Sequence, residues 1–201
     1  MTARWALGLV TLFKVGGSLL AQGERLDAVL AEIVTASRDV AVIVVPGGGP
    51  FADAVRDVDR RLGLSDDAAH WMAVLAMDQY AHVIASRLEG GTLVSEADEI
   101  EPVLNAGRIP VLAPYRWLRD VDPLPHSWDV TSDSIAAWVA GQVGAHRLVL
   151  IKPPQATSGE LVDAYFARAL PPDVAVEIVP ADRIDLLRST GWNQTLGNGR
   201  M

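Results

Sequence analysis

Two glycine-rich loops, each directly after an apolar run, hold the residues of this chain best suited to chemistry. The first, Lys14-Val15-Gly16-Gly17-Ser18, follows Leu9–Phe13, and the second, Pro46-Gly47-Gly48-Gly49-Pro50, follows Val40–Val45. Each apolar run is typical of a buried strand, and each loop precedes a helical pattern. A strand, a glycine turn and a helix start place several backbone N–H groups around one concave spot, which suits phosphate oxygens. Two such loops suit a phosphoryl group that passes between two ligands.

Lys14 stands where its ammonium can neutralise charge that develops on a transferred phosphoryl group. A solvated lysine at a strand end is the alternative. Gly47, Gly48 and Gly49 let a ligand approach the backbone without a Cβ in the way, although a flexible turn has the same composition. Neither loop contains the GxxxxGK or the GxGxxG pattern, so neither alone indicates a nucleotide.

A polar segment from His126 to Ser134 precedes the apolar helical run Ile135–Val143. Asp133 falls in the first helical turn, where the helix dipole favours a carboxylate, or it positions a lysine for phosphoryl transfer. Thr131 and Ser132 are suited to cap this helix or to donate to a substrate. Asp129 is either a loop carboxylate or a partner for a substrate cation.

Lys152 closes the run Leu148–Ile151 and is a candidate second cation, with an exposed lysine as the alternative. His70, Asp78 and His82 lie near four-residue spacing in one helical segment, where Asp78 and His82 can pair. We interpret them as satisfied polar residues or pocket-rim residues and expect no metal site. Cysteine is absent, which excludes disulfides and thiolate metal ligands.

Strand-like and helix-like runs alternate along the chain, and the strand-like runs are short and continuously apolar. This pattern predicts a three-layer α/β/α sandwich with a mainly parallel central sheet. The predicted strands are Val10–Val15, Val40–Val45, Thr92–Val94, Ile109–Ala113, Leu148–Ile151 and Ala175–Val179. The predicted helices are Glu24–Ser37, Phe51–Leu62, Asp66–Leu88, Glu99–Asn105, Ser132–Val143, Leu161–Ala169 and Asp182–Arg188. The proline-containing stretch Pro114 to Pro125 is predicted to be a long loop.

The bulk properties of the 201 residues limit the classes of function. The net charge of −8 argues against a nucleic-acid partner, while half of the residues are hydrophobic and suffice for one core. Lys14 interrupts the first apolar stretch before it reaches the length of a membrane span, so we expect a cytoplasmic protein with no membrane contact. The helix Asp66–Leu88 is apolar nearly all round, which predicts burial in a core or in a homo-oligomer interface.

Three segments together resemble the amino acid kinase family, which includes acetylglutamate and uridylate kinases. They are the Lys14–Ser18 loop, the Val45–Pro50 loop and Thr131-Ser132-Asp133-Ser134-Ile135-Ala136-Ala137. The resemblance implies a kinase that uses ATP and Mg²⁺ and has the three-layer fold. It implies that Lys14 stabilises the transferring group, that Asp133 organises the lysines, and that Gly16 and Gly17 hold nucleotide phosphates. Lys152 and Ser18 complete the catalytic and phosphate-binding residues that we expect. Gly47, Gly48 and Gly49 would hold the acceptor.

Further sequence segments around Trp71, Met77 and Trp128 resemble the branch of the family that phosphorylates an (aminomethyl)furan-methyl phosphate during methanofuran or methylofuran synthesis. The implied substrate carries a phosphate, a furan ring and a primary ammonium. Trp71 or Trp128 would stack on the ring and Asp129 would pair with the ammonium. His126 and Ser132 complete the expected substrate-binding set.

One segment departs from the family pattern. Where many members carry a Thr-Asp-Val-Asp-Gly-like turn, this chain has Ile151-Lys152-Pro153-Pro154-Gln155, and the two prolines lack N–H donors. We therefore expect a single domain with an acceptor-binding lobe over about 1–146 and a reduced nucleotide lobe over about 147–190. The alternative function is a kinase-fold protein that binds a phosphorylated ligand, or a partner enzyme, without phosphoryl transfer. A uridylate- or amino-acid-type kinase is a third possibility.

Overall fold

The computed structural model describes residues 10–154 and 161–185, in which one parallel sheet lies between helical layers. Its order is β3-β4-β2-β1-β5-β6, and every neighbouring pair is parallel. The prediction of a three-layer α/β/α sandwich is confirmed. The strands are β1 (Val10–Val15), β2 (Ala41–Pro46), β3 (Gly91–Val94), β4 (Ile109–Leu112), β5 (Arg147–Lys152) and β6 (Ala175–Pro180).

Seven α-helices connect the strands of the described residues. They are α1 (Gly23–Ala36), α2 (Gly49–Leu62), α3 (Asp66–Arg87), α4 (Ile100–Asn105), α5 (Tyr115–Val121), α6 (Ser132–Gln142) and α7 (Phe166–Ala169). A short 3₁₀ turn, Gly17–Ala21, follows the first glycine loop, and another precedes α4. None of the helices within 10–154 and 161–185 has the length and hydropathy to cross a membrane.

The structure corrects three of the predicted segments. The predicted loop Pro114 to Pro125 contains α5, because Pro114 has a φ compatible with a helix start and the helix buries Trp117 and Leu118. The predicted helix Leu161–Ala169 is helical only over Phe166–Ala169. The predicted helix Asp182–Arg188 is not helical over 182–185, and its residues 186–188 lie outside the described part.

Alternation along the strands divides the core into two faces of the sheet. On one face, Phe13 and Val15 of β1 pack with the buried residues of α1. On the other, Leu12 packs with the buried residues of α6. Lys14 has the same parity as Leu12, so the sheet directs its side chain towards α6.

The carboxyl ends of β1, β2 and β5 meet at one edge, as the pairing of Val15 with both Pro46 and Ile151 requires. The chain leaves β1 for β2 on one side of it, whereas β5 lies on its other side. Such a switch of direction opens a crevice beyond the strand ends, where ligands of open α/β sheets bind. Both glycine loops and Lys152 stand at this edge.

Candidate active site

Lys14 and Lys152, the only two lysines of the chain, converge at the carboxyl edge of the sheet. Lys14 pairs with Leu150 in the register of β1 and β5, so Lys152 lies one strand across and two residues further along. Residues two apart share a face. Both side chains therefore project to the α6 side, and backbone geometry alone brings two cations together.

Asp133 in the first turn of α6 holds both lysines. Its Oδ1 lies 2.9 Å from the Lys14 Nζ, and its Oδ2 lies 2.5 Å from the Lys152 Nζ. Burial acts to raise the pKa of Asp133, but the charges of Lys14 and Lys152 outweigh it, and the pKa falls below its usual value. Burial and the neighbouring Lys14 ammonium lower the pKa of Lys152, against the opposing pull of Asp133. The cluster is a carboxylate that keeps two cations at a fixed separation.

Asp163 fixes the start of α6, which carries Asp133. Its Oδ2 accepts hydrogen bonds from the Thr131 N–H at 2.9 Å, the Thr131 hydroxyl at 2.7 Å and the Ser134 N–H at 3.0 Å. Its Oδ1 accepts from the Ser134 hydroxyl. From sequence, Asp163 was predicted only as part of the helix Leu161–Ala169, since nothing in the local pattern indicates a partner some thirty residues away.

The two glycine loops are packed backbone against backbone. A Cβ on Gly17 would lie 2.1 Å from the Gly49 nitrogen, and a Cβ on Gly47 would lie 2.6 Å from the Gly17 nitrogen. Gly49 also has a φ of 55°, which disfavours any other residue. The glycines therefore bring the loops into contact and place the start of α2 beside the start of the 3₁₀ turn.

The amides of the two loops are not equivalent. The Gly16 N–H donates to the Ile151 carbonyl and the Gly47 N–H donates to the Val15 carbonyl, so these two amides serve the fold. Gly17 and Ser18 begin the 3₁₀ turn and Gly49 begins α2. The first N–H groups of a helix have no partner within it. Those of Gly17, Ser18, Gly48 and Gly49 are thus the candidate phosphate donors.

A cavity of about 300 Å³ joins these parts. Of the residues proposed from sequence, it is lined by Lys14, Gly17, Ser18, Gly48, Gly49, His70, Thr131, Ser132, Asp133 and Lys152. Trp128, which the sequence offered as a stacking residue, also lines it. Its indole N–H donates to Asp59 at 2.8 Å, and the Arg56 guanidinium lies 4.7 Å from its ring centroid. α2 thereby holds the indole as a fixed aromatic wall.

Five residues proposed from sequence do not line this cavity: Gly16, Gly47, Trp71, His126 and Asp129. His126 lies between Asp67 and Asp122, at 2.5 and 2.8 Å, and the bond to Asp67 is the main cause of its raised pKa. Trp71 packs edge-on against His126 and beneath the Arg119 guanidinium. Asp129 is exposed. The positions of helix and loop side chains relative to a cavity depend on the path of the chain between them, which the sequence pattern does not specify.

Among the described residues, no group of three or more His, Asp and Glu side chains is placed to hold a metal ion.

Helix starts and cations gather at the carboxyl edge of the parallel sheet of this α/β protein, an arrangement that suits phosphate oxygens. The chain belongs to the amino acid kinase family, whose model matches residues 10–153.

Two curated relatives are each 30% identical to the chain over the residues that align. One is the (5-(aminomethyl)furan-3-yl)methyl phosphate kinase of Methanocaldococcus jannaschii, matched over 145 residues, or 69% of this chain and 63% of the relative. The other is an acetylglutamate kinase of Bifidobacterium adolescentis, matched over 152 residues, or 73% of this chain and 43% of the relative. The chain thus spans less than two thirds of the length of either.

Solved structures with the same fold include a uridylate kinase and a UMP kinase. The uridylate kinase from Archaeoglobus fulgidus superposes with a TM-score of 0.65 at 17% identity, over 87% of this chain and 92% of that one. The UMP kinase from Ureaplasma parvum superposes with a TM-score of 0.68 at 14% identity, over 91% and 96% of the two chains. At these identities the likeness concerns the fold alone.

Proposed function

We propose that this protein is an ATP-dependent small-molecule kinase that transfers the γ-phosphate to a phosphorylated aminomethylfuran. The observation that carries the proposal is the buried Lys14–Asp133–Lys152 cluster beside two glycine loops in contact. A phosphoryl group in transfer spreads negative charge over its oxygens, and fixed cations in a water-poor site stabilise that charge. Membership of the amino acid kinase family and the named relative supply the substrate class.

The state of Asp133 narrows the acceptor to an anion. Both of its oxygens are taken by lysines and its pKa is lowered, so it is poorly suited to accept a proton from an alcohol. A phosphate or carboxylate acceptor needs no such base, because it is already ionised at neutral pH. In the proposed step an oxygen of the acceptor phosphate bonds to the γ-phosphorus, the bond to the β,γ-bridging oxygen breaks, and ADP leaves.

The chain's own residues would divide the binding work. The start of the 3₁₀ turn at Gly17 and Ser18 would donate to nucleotide phosphates, with Lys152 beside them. The start of α2 at Gly48 and Gly49 would donate to the acceptor phosphate, helped by Ser132. Lys14 would lie between the two, on the oxygens of the transferring group. Because the two loops touch, their donors are close enough to serve one phosphoryl group.

Mg²⁺ would enter with the nucleotide and neutralise charge on its phosphates. The described residues fit that role, since the cavity supplies cations and amides for phosphate oxygens but no carboxylate cage of its own. In this proposal the short segment after β5 would contribute a reduced nucleotide lobe.

Transfer from radiolabelled ATP to a panel of acceptors tests the proposal. The panel holds an aminomethylfuran-methyl phosphate, other phosphomonoesters including UMP, and carboxylates including N-acetylglutamate. We expect ADP and a labelled diphosphate product with the aminomethylfuran acceptor, and transfer about 100- to 1,000-fold slower by Lys14→Ala. Transfer to UMP or N-acetylglutamate alone would contradict the substrate class.

A second candidate, a protein of this fold that binds a phosphorylated ligand without transfer, is favoured by Pro153 and Pro154. These prolines remove two N–H donors directly after Lys152. Thermal unfolding separates the two functions, since a ligand at 100 times its Kd adds about 2.7 kcal/mol to the free energy of unfolding. Stabilisation by the phosphorylated acceptor but not by millimolar Mg-ATP would favour the second candidate.

A further inference from the structure

One face of α3 lines the cavity and changes character along its length. Asp66, Ala69, His70, Ala73 and Met77 occupy positions i, i+3, i+4, i+7 and i+11 of the helix, so they form a single stripe. The polar residues stand at the start of the helix, the alanines leave space in the middle, and the methionine follows. This stripe gives the cavity a polar end that the phosphoryl chemistry does not use.

The polar end lies remote from the glycine loops. Tyr80, further along α3, has its hydroxyl 3.5 Å from the Gly16 carbonyl, so the later part of the helix is next to the first loop. His70 precedes Tyr80 by ten residues, which is about 15 Å along a helix axis. The second loop is nearer to His70, because Ala52 in the first turn of α2 packs with Ala76 of α3, only six residues, or about 9 Å along the axis, from His70. An acceptor whose phosphate lies on the second loop would thus place its far end near His70.

His70 is a buried polar group with no hydrogen-bond partner among the residues that the structure describes. Only 8% of the residue is exposed, and neither ring nitrogen makes a hydrogen bond to another of the described residues. The ring is held by stacking on His126, with centroids 4.3 Å apart, and by an edge contact with Trp71 at 4.8 Å. Buried polar side chains normally have a partner. The position on the cavity wall points to a ligand as that partner.

His70 is neutral at physiological pH. Burial, and then the positive charge of His126, lower the pKa of His70 to about 4. A neutral imidazole has one nitrogen that accepts a hydrogen bond. It can therefore accept from an ammonium group without charge repulsion.

Asp66 supplies negative charge at the same end. Three aspartates line the cavity within the described residues: Asp53 is paired with Arg56, Asp133 is paired with both lysines, and Asp66 has no ion pair. The nearby charge on His126 is balanced by Asp67 and Asp122. An ammonium is the group that both an unpaired carboxylate and an imidazole acceptor would bind.

We propose that His70 and Asp66 bind a primary ammonium group at the end of the acceptor remote from its reacting phosphate. This proposal rests on the proposed function and makes it more specific. The ring of the acceptor lies between Trp128 and the alanine part of the stripe. The assignment replaces Asp129, which does not line the cavity.

The test uses two acceptors and two variants. The acceptors are an aminomethylfuran-methyl phosphate and its analogue with a methyl in place of the aminomethyl group. Asp66→Asn removes the charge, and His70→Phe keeps an aromatic ring against His126 and Trp71 but removes the acceptor nitrogen. Asp98→Asn, an exposed carboxylate in the 3₁₀ turn before α4, is the matched control. KM and kcat are measured for transfer, and calorimetry without nucleotide measures binding of each acceptor.

We expect each variant to raise the KM of the amine acceptor by about 10- to 100-fold, the value of a charge-assisted hydrogen bond. kcat, and the KM of the methyl analogue, should stay near those of wild type and of the control. An unchanged preference for the amine in both variants would overturn the proposal. If wild type binds the amine acceptor through His70 and Asp66 but transfers nothing to it, the proposed function fails and this inference stands. If wild type binds both acceptors equally, this inference fails whatever the transfer assay shows.

Discussion

The two ends of the cavity are built in different ways. At the phosphoryl end, two strands of one sheet and the start of α6 bring Lys14, Lys152 and Asp133 together, with Lys14 and Asp133 buried. At the α3 end, helix and loop residues are joined through His126, whose aspartate partners are exposed. Parity and register place the first set, whereas packing between distant segments places the second. We therefore expect the phosphoryl end to be sensitive in turnover and the α3 end in affinity and stability.

The largest expected effect comes from Lys14→Ala. Loss of one fixed charge at a phosphoryl transition state should lower kcat by about 100- to 1,000-fold. Asp133 keeps Lys152 as its partner, so the variant should remain folded. Steady-state turnover with ATP and the thermal midpoint together check this prediction. Near-normal kcat in a folded Lys14→Ala protein would remove the cluster from catalysis.

Asp163→Asn should have the next largest effect. An amide loses the charge and one of the two oxygens that accept from Thr131 and Ser134. We expect the free energy of unfolding to fall by about 1–2 kcal/mol and kcat to fall by about tenfold, because α6 no longer fixes Asp133. Asp173→Asn, an exposed carboxylate of the same segment, is the control. A loss of stability with kcat unchanged would mean that Asp163 acts on the fold alone.

His126→Gln tests the α3 end through stability. The folded-state pKa of His126 is raised, mainly by its hydrogen bond to Asp67, so its contribution is present below pH 6.5 and lost as pH rises through the folded pKa. Near pH 6 the free energy of unfolding of wild type should exceed that of His126→Gln by at most about 1 kcal/mol, because the aspartates are exposed. At pH 9 this difference should be smaller. Denaturant unfolding at the two pH values measures this, with the exposed His82→Gln as control. A difference that does not change with pH would contradict the ion-pair role.

Asp78→Asn should act in the opposite direction and raise the free energy of unfolding at neutral pH. Burial raises the pKa of Asp78 to about 6, although the Tyr115 N–H bonded to it acts to lower that pKa. The folded state then holds its proton more tightly than the unfolded chain, so wild type loses stability as pH rises from about 4 to 6. The side-chain amide of the variant still accepts the hydrogen bond from the Tyr115 N–H. It carries no charge, so the variant avoids this loss of stability. The thermal midpoint of the variant should exceed that of wild type at pH 7 more than at pH 4, and a constant difference would refute the assignment.

Much of the fold follows from short-range pattern. The apolar runs predicted the strands, β1 with the bounds that the structure has, because central parallel strands are continuously apolar. The order of strand and helix then placed Lys14, Lys152 and both glycine loops at one edge. The structure adds that the two lysines share parity, so they face the same helix.

The features that were not predicted from sequence depend on contacts between residues that are far apart in the chain. The prolines at 114 and 125 favoured a loop, yet they only flank α5, whose Trp117 and Leu118 are held by burial. Asp163 acts across some thirty residues, and no neighbour of it in sequence reveals that role. The composition contained one signal for the site. The chain has only two lysines, Lys14 and Lys152, and both belong to the cluster around Asp133.

The contact between the glycine loops has a consequence for which acceptors fit. Since no side chain separates Gly17 from Gly49, the gap between the two sets of amides is set by backbone atoms and cannot widen or narrow by a change of rotamer. The loops therefore fix the distance between the donor and acceptor phosphates. Discrimination between acceptors that differ in length or in their distant substituents must then occur at the start of α3, where a change of side chain leaves the contact between the loops intact.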